Sequence, residues 1–120
     1  MLSVEWAKNT DGDWYALDAV PVLNLHAWGV YVIWATHPQA RRPATVLKVG
    51  SGNIGVRLAI ERMNPELRSL GTPLFVTWAV VADHHHPAIV RYLSAFLHPV
   101  LPQYLDATVE PLAVNLPLLA

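Results

Sequence analysis

The chain has 120 residues, 53% apolar and 14% charged, with a net charge of −1 and no cysteine. That length fits one domain able to bury its own core; the apolar fraction excludes a disordered chain, and the lack of thiols excludes disulfides and thiolate metal sites. Glu5 and Lys8 follow Met1 where a leader would be apolar, and no apolar run reaches bilayer length, so the expectation is a soluble, cytoplasmic protein with no membrane partner.

The first turn falls at Asp11-Gly12, before a short packed stretch at Trp14, Ala16 and Leu17. Val20 to Leu25 is apolar, but Pro21 lacks an N–H, so this run reads as an edge or irregular strand. Gly29 to Thr36 is the best strand, rich in β-branched and aromatic residues. Its alternation sends Tyr31, Ile33 and Ala35 to one face and Val30, Val32 and Trp34 to the other. His37 to Ala44 is a loop with two prolines and two arginines, and Thr45 to Val49 is a second strand ended by Gly50.

Ser51-Gly52-Asn53 reads as a turn, with Asn53 capping a helix from Ile54. Ile54, Leu58, Ala59 and Met63 are its expected inward stripe, and Arg57 and Glu61 stand four apart on one face. Asn64-Pro65 ends that helix and starts a short one through Leu70. Leu74 to Val81 is the third strand, Pro87 opens a helix to about Leu97 with Ile89, Leu93 and Phe96 inward, and His98-Pro99 stops it. The last ten residues read as an ordered apolar tail. Trp28, Trp34 and Trp78 read as core.

The order β-β-α-β-α makes an α+β fold: a small three-stranded antiparallel sheet flanked by helices, with extended N- and C-terminal flanks. Residues 1–120 form a single domain with its core at about 29–99.

Charge is unevenly spread. Glu5, Asp11, Asp13 and Asp18 outweigh Lys8 in residues 1–28, and Asp83, Asp106 and Glu110 outweigh Arg91 after residue 82. Between them Arg41, Arg42, Lys48, Arg57, Arg62 and Arg68 face only Glu61 and Glu66, a local excess of +4. A basic segment of this kind either attracts phosphates or is an ordinary solvated surface.

Gly29-Val30-Tyr31, Lys48-Val49-Gly50 and Arg57, in this strand–strand–helix order, resemble the GIY-YIG nuclease superfamily over residues 29 to 99, with a weaker extension to Asn115. The resemblance implies a domain that cleaves phosphodiesters with one divalent metal, Mg or Mn, held by a glutamate. It casts Tyr31 as the first-motif tyrosine that helps activate water and Arg57 as the guanidinium on the scissile phosphate. Lys48 stands where a second tyrosine is expected and cannot act as a phenol. Asn115, in Val114-Asn115-Leu116-Pro117, matches a late asparagine that steadies the site in some members. Val90 occupies the position of the metal-binding glutamate, and valine offers a hard cation no oxygen. Asp83 and Glu110 are the carboxylates left to fold back, and His86, four residues before Val90, is a ligand only for a softer metal.

These residues carry structural readings as well. Tyr31 is a packed strand tyrosine, Arg57 pairs with Glu61, and His84-His85-His86 is an exposed polar loop. The functional expectation is a nucleic-acid-related protein, DNA ahead of RNA, with a degenerate or inactive nuclease site that needs no metal. Its alternatives are an active metal-dependent endonuclease with a rearranged site, and a module that reuses the fold to bind itself or a protein partner, favoured by the five tryptophans. The nucleic-acid readings share one geometric requirement: Tyr31 and Arg57 meet across a shallow groove.

Overall fold

The computed structural model describes residues 1–37, 42–71, 73–103 and 105–119. Its strands are β1 (Tyr15–Ala16), β2 (Trp28–His37), β3 (Arg42–Asn53) and β4 (Leu74–Val80), and its helices are α1 (Ile54–Arg62), α2 (Pro65–Ser69) and α3 (His86–Leu97). The strands make an antiparallel sheet in the order β1-β4-β2-β3. The α+β class holds, but the expected three strands are four among the described residues. The extra one is Tyr15–Ala16, which pairs with Phe75 and Val76 on the free edge of β4. The expected 37–44 loop is shorter than read: His37 ends β2 and Arg42 to Ala44 open β3, with His37 paired to Arg42, and residues 38–41 lie outside the described residues.

β2 is central and its predicted alternation holds. Tyr31, Ile33 and Ala35 join Leu17, Ile54, Leu58 and Leu67 in a cluster on the α1 face. Val30, Val32 and Trp34 join Ile89, Val90 and Leu93 of α3 on the other. β3 carries one extra residue: Ile33 pairs with Lys48 and Trp34 with Val46, so Leu47 is bulged. Lys48, paired with Ile33, lies on the Tyr31 side, and the bulge brings Leu47 to that side as well. Val100 and Leu101 then bond to the carbonyls of Val46 and Leu47, covering part of the β3 edge.

Three expectations are corrected here. Residues 51–53 are not a turn, because β3 runs on to Asn53, paired with Trp28. Val20 to Leu25 is not a strand; after Pro21 it forms a 3₁₀ turn at Val22–Asn24, preceded by another at Leu17–Ala19. Met63 and Phe96 point outward, 84% and 59% exposed, as does Trp28 at 52%. The buried stripe of α1 is instead Ile54, Leu58 and Glu61, spaced four and three apart. Burying Ile54 and Leu58 fully contributes about 1.5–3 kcal/mol each.

Both α1 and α2 start on asparagine caps. Asn53 Oδ1 accepts from Val56 N at 3.3 Å, and Asn64 Oδ1 from Glu66 N at 3.1 Å. α3 stops at His98, left-handed at φ 49°, whose N–H bonds to the Ser94 carbonyl. The terminal tail is ordered and not helical: Leu2 bridges Val114 in parallel, and Val114 is wholly buried. Among the described residues no helix is long and apolar enough to cross a membrane.

Candidate functional site

The α1 face of the sheet holds a polar cluster inside an otherwise apolar layer. Tyr31 has no exposure and lies opposite Gly50 on β3. A Cβ on Gly50 would stand 2.5 Å from Tyr31 Cζ, so only glycine lets the ring lie across that strand. Two residues on, Gly52 has φ +129°, and a Cβ there would press on Arg57 Cγ at 3.3 Å. The glycines of the β3 end therefore make room for the two side chains that the resemblance singled out. Asn53 fixes the start of α1, which places Arg57 and Glu61 one turn apart above them.

Tyr31, Lys48 and Arg57 are thus brought together, with Glu61 as a fourth member. Lys48 Nζ sits 2.7 Å from Glu61 Oε1; Glu61 is 2% exposed and Lys48 19%. The simple Arg57–Glu61 pairing read from their spacing is not what forms. Sequence reasoning treated Glu61 only as that partner and missed its burial, although its spacing from Ile54 and Leu58 puts it on the inward stripe.

The meeting of Tyr31 and Arg57 is internal, not across an open groove. Burial pushes the Tyr31 phenol up to about 12, the Glu61 carboxylate adds to the rise, and the adjacent Arg57 guanidinium opposes both. At neutral pH Tyr31 is a neutral phenol and a poor base. No hydrogen bond of good geometry joins it to Arg57. Tyr31 Oη, Arg57 Nε and Glu61 Oε2 are three of the five buried side-chain atoms without a bonding partner among the described residues. Their concentration in one place makes this cluster the candidate site, because native cores rarely leave such atoms unpaired.

Most other cations of the basic segment are committed to structure. Arg62 bonds to the Leu17 and Val20 carbonyls, and Arg68 pairs with Asp18 and bonds to the Arg62 carbonyl. Arg91, outside that segment, bonds to the Ala107 and Val109 carbonyls. Among the arginines whose side chains are described, Arg57 alone has neither a carbonyl nor a carboxylate bonded to it.

The remaining candidates lie elsewhere. Asn115 joins the termini: its side chain accepts from Val4 N at 2.7 Å and donates to Val4 O at 2.9 Å, while its carbonyl accepts from Trp6 Nε1. Val90 packs in the cluster on the opposite face of the sheet from Tyr31. Asp83 is 76% exposed, and Glu110 is also exposed. His86 is buried, not part of an exposed loop, and its Nε2 donates to the Val81 carbonyl at 3.0 Å.

A divalent metal does not fit these residues. A hard cation needs several oxygen ligands, and the cluster offers one carboxylate, already paired with Lys48. Among the described residues no three His, Asp or Glu side chains converge. Comparison with models of known families, with characterised proteins and with solved structures finds no match for this chain.

Proposed function

We propose that this chain is a GIY-YIG-like domain that contacts nucleic-acid phosphates through Arg57 and does not cut them by a metal-dependent route. The observation that carries the reading is the state of Arg57. Its guanidinium has no carboxylate or carbonyl bonded to it and leaves Nε unpartnered; Gly52 lies against its stem, Tyr31 lies beside it, and the neighbouring ion pair leaves the cluster a net charge of +1. A guanidinium donates two parallel hydrogen bonds to phosphate oxygens, which an ammonium does not. Tyr31 lies beside that guanidinium and, with its phenol kept protonated, takes no proton.

Fluorescence anisotropy with labelled single-stranded and duplex DNA, then RNA, tests this at low salt. Binding that falls steeply with salt is expected, and Arg57→Ala is expected to weaken it roughly tenfold, the worth of a charge-assisted bond. Unchanged binding by Arg57→Ala, or manganese-dependent nicking that Arg57→Ala abolishes, overturns the reading.

A second reading, a protein-interaction module, is favoured by one surface. Leu23, Val56, Ile60 and Met63 are 87, 55, 51 and 84% exposed and line an apolar cleft of about 410 Å³ beside α1. Two of the five tryptophans that favoured this reading are engaged within the fold: Trp6 bonds to Asn115, and Trp14 packs edge-on against Trp34. Sedimentation of the chain and of Ile60→Glu tests this reading; a dimer that the variant dissociates supports it, and a monomer at high concentration removes self-association.

A further inference from the structure

Resting on the phosphate-contact reading, we infer that Glu61 sets the charge of the ligand this site accepts, admitting a monoanionic phosphodiester and gaining nothing from a dianionic terminal phosphate. Three charges make the local balance. Arg57 and Lys48 are positive, and Glu61, 2% exposed and 2.7 Å from Lys48 Nζ, is negative. Lys48 is a partly exposed cation that would otherwise reach for an anion, and Glu61 keeps it occupied. The second oxygen of that carboxylate, Oε2, is buried with no bonding partner, so its negative charge is shared only in part with Lys48. One phosphodiester charge is then met by Arg57. A second charge on the same phosphate finds no further free cation among the described residues of the cluster and faces an incompletely neutralised carboxylate in a poorly solvated layer, where charges act over longer distances than in water. A carboxylate at this position costs binding strength; what it contributes is the removal of any preference for a second phosphate charge.

The test uses the full chain and one oligonucleotide in two forms, with and without a 5′-phosphate, in anisotropy titrations at low salt. The wild type is expected to bind both equally, within about twofold. Glu61→Gln keeps the side-chain shape, removes the charge and frees Lys48. It is expected to bind both forms more tightly and to prefer the phosphorylated one by roughly three- to tenfold, the scale of one added charge in a partly screened site. The double variant Lys48→Gln with Glu61→Gln returns the balance to +1 and is expected to lose the preference again. A wild type that prefers the phosphorylated form, or a Glu61→Gln protein without preference, overturns the inference while leaving Arg57-dependent binding intact. Failure of both forms to bind, or binding indifferent to Arg57→Ala, removes the underlying reading and the inference with it.

Discussion

Lys48 on β3 and Glu61 on α1, thirteen residues apart in sequence, form an ion pair at 2.7 Å that ties helix to strand beneath a nearly closed surface. Its construction needs the β2–β3 register that pairs Lys48 with Ile33 and so turns it toward the helix, and the four-then-three spacing that turns Glu61 toward the sheet.

Lys48→Met is expected to destabilise the fold by about 3 kcal/mol, because it strands a buried carboxylate. Adding Glu61→Leu is expected to recover most of that loss, since removing both charges removes the desolvation cost as well. Urea unfolding of the two proteins checks the pair; equal stability of wild type and Lys48→Met shows that Glu61 is not dependent on Lys48.

Tyr31→Phe is expected to change stability by no more than about 1 kcal/mol at pH 7, because the hydroxyl it removes has no bonding partner. At high pH the difference grows in the variant's favour. The folded chain holds the Tyr31 proton up to about 12, whereas the unfolded chain releases it near 10. Between those values the unfolded state binds fewer protons, so stability falls as pH rises. The wild type is expected to lose about 2–3 kcal/mol relative to Tyr31→Phe across that window. Parallel alkaline unfolding curves for the two proteins contradict it.

Val90→Glu, the change that would restore the expected metal ligand, is expected to damage the fold and build nothing. Val90 is 8% exposed among Val30, Val32, Trp34 and Ile89, on the face of the sheet away from Tyr31. An isolated charge there costs about 3 kcal/mol or more, or stays protonated. Denaturation midpoints and manganese titration followed by electron paramagnetic resonance check both halves. Tight manganese binding by a stable variant would place residue 90 beside the Tyr31 cluster after all.

Asn115→Ala is expected to lower stability by about 2 kcal/mol through loss of two bonds to Val4. Amide exchange at Val4 should speed up, while oligonucleotide binding stays as in the wild type. A selective loss of binding with unchanged exchange assigns Asn115 to the ligand site instead.

Much of this architecture was legible because it rests on local rules. The face alternation of Tyr31 and Val30, the Asn53 cap, the break at Asn64-Pro65 and the helix that Pro87 opens all follow from period, capping and missing N–H groups. The nearness of Tyr31 and Arg57 was legible only through ordered motifs, since no periodicity links a strand to a later helix. The rest needed coordinates for identifiable reasons. β1 has two residues and owes its existence to the vacant edge of β4, which no composition rule reports. A bulge such as that at Leu47 leaves no mark in a run of apolar letters. Glu61 looked exposed because charge usually is; its burial depends on Lys48 arriving from another element. Asn115 carried a motif match and a structural duty at once, and only its bonds to Val4 show the second.

The clasp between the two ends of the chain has a mechanical consequence. Leu2 and Val114 run parallel, flanked by the Leu2–Ala113 and Val4–Asn115 hydrogen bonds. Pulling the termini apart therefore loads these bonds together, sliding one segment along the other rather than peeling it away. Such a shear lock yields abruptly at a force set by its unfolding rate, which single-molecule stretching reads directly.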